Sequence, residues 1–226
     1  MLQIDFKEIR FCYGEVCAVD GVNFSLHENT LTALVGPNGG GKSTLIKLLA
    51  GLIHPEDGSI RRRDGGSVGY VSQTPGFDVM FPVTVRELVL MGTLPGEIRP
   101  FSRYSREQKA RALDAVARVG LTGYESRGID QLSGGQLKRA LIARSLAADV
   151  DIIALDEPDA SLDMDAARGL YRILDELKSD TTIVIASHHI GAILDIADVA
   201  VYVNKTTKTY GAPQRLKEEL KGGLVL

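Results

Sequence analysis

Leu31-Thr32-Ala33-Leu34-Val35-Gly36-Pro37-Asn38-Gly39-Gly40-Gly41-Lys42-Ser43-Thr44 decides the reading of this chain. Its first five residues are apolar or β-branched, which predicts a short strand buried on both faces. G-x-x-x-x-G-K-S follows, and then Leu45, Leu48, Leu49 and Leu52 at i, i+3, i+4 and i+7, one apolar stripe of a helix. Strand, glycine-rich loop and helix in that order form the setting in which such a loop cradles phosphate. Glycines let the backbone curl so that N–H groups from Gly36 to Thr44 point inward, and the helix N-terminus adds the positive end of its dipole. Lys42 is placed to bridge β- and γ-phosphates, and the Ser43 hydroxyl to ligate Mg²⁺. An ordinary glycine-rich turn rarely carries Lys-Ser directly at a helix start. The loop therefore predicts nucleotide binding, and it is silent on what the nucleotide drives.

Similar short runs recur at Val68–Val71, Ile152–Leu155, Thr182–Ala186 and Val199–Val203, with helical stretches between them. One of these, Ser105 to Val119, opens with the capping box Ser105-x-x-Gln108 and stops before Gly120. Strands alternating with helices predict an α/β fold with a mainly parallel sheet. The stretch from about Thr74 to Ala148 carries helical pattern and loops without strand pattern. It reads as a helical sub-domain inserted into an α/β core of residues 1–73 and 149–226, the whole forming one domain. The piece after Ala212 is too short for a further regulatory domain.

Composition bounds the rest. The chain has 226 residues, 44% hydrophobic and 24% charged, enough to bury a core without disulfides or metals. The 26 basic and 29 acidic residues leave a net charge of −3, which argues against nucleic acid or an anionic lipid surface as main partner. No run reaches the ~18–20 apolar residues of a membrane span, and the N-terminus lacks the order of a signal peptide. Cys12 and Cys17 read as a reduced thiol pair, and with no third ligand nearby they make a poor zinc site. Arg61-Arg62-Arg63 reads as a solvated edge.

Two further segments carry chemistry. Asp151-Ile152-Ile153-Ala154-Leu155-Asp156-Glu157-Pro158 is a buried strand that ends in two acids. In a parallel sheet the ligand lies beyond the carboxyl ends of the strands, so both acids fall beside the phosphate loop. Asp156 then fits a Mg²⁺ holder and Glu157 the group that polarises the attacking water. Leu132-Ser133-Gly134-Gly135-Gln136 opens another helix. Ser133 and Gln136 make an ordinary capping box, yet a capping box does not call for two glycines between its partners. Those glycines let a phosphate approach the exposed N–H groups.

With the phosphate loop and the acid pair, this pentapeptide resembles the nucleotide-binding subunit of ATP-binding cassette (ABC) transporters, and the resemblance covers nearly the whole chain. It implies an ABC ATPase fold: a P-loop NTPase core, an N-terminal antiparallel β portion and the inserted helical sub-domain. Tyr13 then matches the aromatic that stacks on adenine, Gln73 the glutamine near Mg²⁺ and the attacking water, Asp163 the acid at the dimer seam, and His188 the γ-phosphate contact. Taken singly, Tyr13 fits a sheet-edge aromatic, Gln73 a polar loop residue, Asp163 a helix N-cap and His188 a surface histidine. In register behind two specific motifs, the family roles take precedence. Two positions depart from the family pattern. Asp159 stands where Thr, Phe or Ser is common, and His189 follows His188 where Asp is frequent. Motif order favours His188 as the imidazole facing the nucleotide.

The resemblance also implies a mechanism and partners. Ser133, Gly134, Gly135 and Gln136 would reach ATP from a second copy, in a head-to-tail homodimer that sandwiches two ATP molecules with Mg²⁺. Hydrolysis then releases the halves. The partners implied are integral-membrane permease subunits and, indirectly, an extracytoplasmic solute-binding protein. The location implied is cytoplasmic, peripheral on the inner face of the cell membrane. Phe77-Asp78-Val79-Met80-Phe81-Pro82-Val83-Thr84-Val85 either lines the permease groove or packs into the chain's own core. Around it, and around Ser187–Ala192, the chain looks especially like bacterial zinc, manganese or iron importers, with importers of iron chelates and cobalamin as close rivals. A soluble ABC-type ATPase of iron–sulfur cofactor assembly would carry a similar cassette, and a nucleotide-binding scaffold without turnover is the third alternative.

Overall fold

The computed structural model describes residues 1–63, 66–74, 76, 78–94 and 103–222, with the Leu2 side chain left aside. Nine strands and seven α-helices are described here in chain order. Strands β1 (Leu2–Tyr13) and β2 (Val16–His27) form a hairpin, and β4 (Asp57–Arg62) pairs with the other edge of β1, giving an antiparallel sheet of order β2-β1-β4. The main sheet has the order β5-β6-β7-β3-β8-β9, from β3 (Leu31–Val35), β5 (Val68–Val71), β6 (Ile152–Asp156), β7 (Thr182–Ala186), β8 (Val199–Asn204) and β9 (Thr206–Tyr210). Its first five members are parallel and β9 returns antiparallel on β8. Every strand expected in the main sheet is present, β6 and β8 each longer by one residue.

Alternation along these strands divides the core into two layers. Leu34, Ile152, Ala154, Val184, Ala186, Val201 and Val203 face α1 (Lys42–Leu49) and the antiparallel sheet. Leu31, Ala33, Ile153, Leu155, Ile183 and Ile185 face the other way. There they pack in one cluster with α2 (Val85–Gly92), α3 (Arg106–Arg118), α4 (Gly134–Ala147), α5 (Met164–Leu177), α6 (Ile190–Ile196) and α7 (Pro213–Lys221). Period-two side-chain direction produces both layers from the same strands. Helices α2, α3 and α4 lie between β5 and β6 in sequence and pack on one another. Ser105 and Gln108 form the expected capping box on α3, and Gly120 takes positive φ past its end. Among the described residues no helix is long and apolar enough to cross a membrane.

Three expectations are corrected. Leu52 is not part of the α1 stripe: the helix ends at Leu49, Gly51 turns the chain with positive φ, and Leu52 stands 58% exposed. Cys12 and Cys17 are joined in a disulfide rather than standing as free thiols. The two-residue turn Gly14-Glu15 sets the hairpin register and places Cys12 directly opposite Cys17. Arg62 is not simply solvated, because its Nη2 donates to the Leu49 carbonyl at 2.6 Å and closes the C-terminal end of α1.

Candidate nucleotide site

The carboxyl ends of neighbouring strands β6, β7 and β3 deliver the chemistry to one edge of the sheet. The phosphate loop leaves β3 after Val35, Asp156 and Glu157 end β6, and Ser187-His188 follow β7. Gly36 must be glycine, since a Cβ there would lie 2.1 Å from the Val203 carbonyl oxygen. Gly41 caps α1 with φ of 103°, and a Cβ on it would meet Ala18 and Val19 at 2.6 Å. The loop is thus wedged between β8 and β2. Lys205, in the β8–β9 turn, fastens it further by donating its N–H to the Gly40 carbonyl at 2.8 Å. Helix α1 has no side-chain cap and no acid in its first turn, so its N-terminal N–H groups stay available to an anion.

A cleft of about 410 Å³ opens over this loop. Asn38, Gly39, Gly41, Lys42, Ser43 and Thr44 line it on the loop side, with Tyr13, Val16, Cys17 and Ala18 from the hairpin and Glu157, His188 and Lys205 opposite. Tyr13 is 51% exposed, and its ring stands edge-on to Phe11, leaving a face free for a planar base. The Lys42 ammonium is buried and donates to the carbonyls of Gly36 at 3.0 Å and Pro37 at 2.9 Å. Burial pulls its pKa down, against the attraction of Glu157 and Asp156. A phosphate arriving at the loop supplies further opposite charge to this buried cation.

Ser43 Oγ donates to Asp156 Oδ1 at 2.7 Å. Two hard oxygen donors converging beside a phosphate loop fit Mg²⁺, which binds one or two protein oxygens and takes the rest from phosphate and water. Tyr70 Oη lies 3.5 Å from Asp156 Oδ2, and burial followed by that carboxylate pushes the phenol up to about 12, so it stays a neutral donor. Glu157 holds positive φ and is nearly buried; its N–H continues the ladder to the Ala186 carbonyl at 2.9 Å. His188 Nε2 stands 2.5 Å from Glu157 Oε1, which brings imidazole and carboxylate to one point of the cleft.

Three expected site segments lie outside this cleft. Ser133 is the N-cap of α4: its Oγ accepts from Gln136 N, and Gln136 Oε1 accepts from Ser133 N at 3.0 Å, so the ordinary capping box is present. Gly134 is exposed, while a Cβ on Gly135 would come within 3.2 Å of Ala166. Asp163 is the N-cap of α5 and accepts from Ala166 N at 2.8 Å. The starts of α4 and α5 are therefore neighbours, set side by side away from their own chain's cleft. Gln73 is exposed on the loop after β5, and the buried Lys138 ammonium of α4 donates to the carbonyls of Ser72, at 3.0 Å, and Gln73. Burial draws the pKa of Lys138 down, against Asp156 and Asp159. Lys138, Tyr70 and Lys205 escaped sequence reasoning, because a single polar residue in a helix, strand or turn gives no spacing to read.

Such an arrangement defines a nucleotide-binding cassette of the phosphate-loop class, with the capped start of α4 lying outside the cleft. The family model described as ABC transporter matches residues 19–160, and this chain belongs to that family. It is 36% identical over 225 residues to the manganese transport system ATP-binding protein MntB of Listeria monocytogenes, covering 96% of this chain and 93% of that one. It is 32% identical over 213 residues to the zinc uptake system ATP-binding protein ZurA of Listeria innocua, covering 89% and 82%. Among solved structures, a nucleotide-free ATP-binding cassette from an ABC transporter superposes with a TM-score of 0.85 at 25% identity, over 98% of this chain and 96% of that one. A dimeric bacterial ABC transporter cassette superposes at 0.74, with 25% identity over 92% and 97%.

Proposed function

We propose that this chain is the ATP-hydrolysing subunit of a transporter that imports a transition-metal ion or metal chelate. Lys42, Ser43, Glu157 and His188 lining one cleft, with Asp156 bonded to Ser43 beneath it, is the observation that carries the hydrolytic part. The adenine rests on Tyr13, and the phosphates take the N–H groups of Gly36 to Thr44 and the Lys42 ammonium from its present carbonyl partners. Ser43 and Asp156 would hold Mg²⁺, and Gln73, now exposed on the loop after β5, would have to turn toward it. The metal supplies charge neutralisation on the β- and γ-phosphates. Glu157 accepts the proton of the attacking water, and His188, within hydrogen-bond reach of it, holds both carboxylate and γ-phosphate in place.

The chain works in pairs. Exposed Ser133 and Gly134 beside Asp163, turned away from their own cleft, suit a second copy's ATP in a head-to-tail dimer, and the dimeric cassette supports this. ATP closes the pair because its γ-phosphate meets the N-terminus of the opposing α4. Permease subunits then dock near the loop after β5. A groove of about 520 Å³ runs there between Tyr70, Ser72, Met91 and Arg144. Within the segment expected to dock, Met80 and Phe81 are 74% and 60% exposed, whereas Val85 is fully buried and Val83 packs on the core; Phe77 lies outside the described residues. Phe81 is thus the sharper probe. The manganese and zinc transport systems among the relatives support the cargo class; on this reading an extracytoplasmic binding protein feeds the permease and the cassette sits on the inner membrane face. The test is metal uptake by the chain reconstituted with its permease. The parent chain should drive uptake, and Phe81→Asp should abolish it while retaining ATP binding. Uptake unchanged in a stable Phe81→Asp variant would refute the docking site.

A further inference from the structure

Asp159 is a carboxylate that the hydrolytic mechanism does not use. It is 2% exposed, just past the acid pair. Its Oδ2 accepts from Tyr171 Oη of α5 at 2.5 Å and from Ser187 Oγ at 2.6 Å, and His189 Nδ1 stands 3.6 Å from the same oxygen. Ser187 Oγ in turn accepts the His189 N–H at 3.0 Å. Ser187 is therefore bonded to this buried oxygen directly, and His189 through Ser187, with the His189 imidazole facing the same oxygen. His188 itself is 41% exposed, so packing does little to fix it, and its aim at Glu157 depends on the backbone beneath.

We propose that Asp159 is a positioning residue for His188, which clamps the Ser187-His188-His189 turn through Ser187 and His189 so that the His188 imidazole stays on Glu157. The two positions at which the sequence departs from the family pattern, 159 and 189, are thus partners in space. A residue retained for packing alone would not be a carboxylate. Its Oδ1 has no hydrogen-bond partner, a costly arrangement in a dry interior that an apolar side chain of similar size would relieve. Low dielectric strengthens the bonds that Oδ2 does make, which suits a clamp. Tyr171 remains a neutral donor to it, because burial and then the Asp159 bond raise its pKa.

This inference rests on the hydrolytic reading of Glu157 and His188, and the experiment separates the two. Single-turnover hydrolysis of Mg²⁺–ATP and ATP affinity are measured on the purified full chain and on His189→Asn, His189→Asp, Asp159→Thr/His189→Asp and Glu157→Gln. His189 is 45% exposed, so its substitutions should leave the core intact, which thermal melting of each variant checks. An Asp at 189 sets an oxygen about where Nδ1 stands, against Asp159; the rate should fall about tenfold or more with ATP affinity within about twofold. Asn can still present an N–H and should stay within about threefold of the parent. The double variant removes the like charge, gives the carboxylate to the turn and should regain most of the loss. Equal rates for His189→Asp and the parent would overturn the clamp. So would equal rates for His189→Asn and His189→Asp, or no recovery in the double variant. If Glu157→Gln is slow while every His189 variant matches the parent, only the clamp fails. A Glu157→Gln variant as fast as the parent overturns the hydrolytic reading and the clamp with it.

Discussion

The phosphate loop and the start of α4 are both glycine-rich helix N-termini, and they are built to opposite ends. The loop is wedged between β2 and β8, its helix is uncapped, and a cation and two carboxylates already surround it. At the start of α4, Ser133 and Gln136 satisfy each other and Gly134 faces outward. The first is assembled by long-range packing inside one chain. The second is finished as a helix end and unfinished as a site. On the proposed function the two are half-sites that serve different nucleotides, as a head-to-tail pair requires.

The strongest way to break this comparison is to disable one half at a time. Lys42→Ala should lower ATP affinity about a hundredfold or more, because it removes the buried cation that faces the phosphates. Ser133→Ala should leave ATP binding by the single chain within about twofold, yet slow hydrolysis about ten- to a hundredfold. Titration with a fluorescent ATP analogue and phosphate release separate these outcomes, and a large affinity loss in Ser133→Ala would erase the distinction. Ser133→Ala should also destabilise the fold by about 1 kcal/mol through loss of the cap, read by urea unfolding.

Lys138 ties α4 to the loop after β5, outside both helix starts, so its effect should be intermediate. Lys138→Met strands the Ser72 and Gln73 carbonyls, at a cost of about 1–3 kcal/mol in urea unfolding. The smallest effect belongs to a control at the other end of β6. Asp151 accepts from Ser67 N at 2.7 Å and Ser67 Oγ at 2.9 Å, and the Ser67 bonds hold its pKa below the model-peptide value of 3.8. A depressed carboxylate contributes stability above that value and loses it as pH falls through the lower, folded-state pKa. The melting difference between the parent and Ser67→Ala should therefore be present at neutral pH and close as pH falls through the lowered, folded-state pKa, with hydrolysis at neutral pH unaffected.

Much of the fold was legible in the sequence, because parallel strands buried on both faces announce themselves locally. β3, β5 and β7 run over the residues that their apolar patterns marked. β9 was not legible: Thr206-Thr207-Lys208-Thr209-Tyr210 is mostly polar, with only Tyr210 buried, and pairing with β8 makes it a strand. Nor was the Cys12–Cys17 bond, since a spacing of five residues says nothing until the Gly14-Glu15 turn fixes the register. In the site, Lys42, Ser43, Asp156 and Glu157 were readable because each sits in a motif of fixed spacing. Asp159 stood out only as a departure, since its meaning lies in Tyr171 and Ser187, which are distant along the chain. Tertiary contact, and not local pattern, defines such residues.

One measurement reaches the centre of the account. The Glu157→Gln chain, given ATP and Mg²⁺, should migrate in analytical ultracentrifugation as a pair of chains that retains two nucleotides, and as single chains with ADP. A Glu157→Gln chain that binds ATP and stays single, with or without its permease, would contradict the claim that each copy completes the other's site.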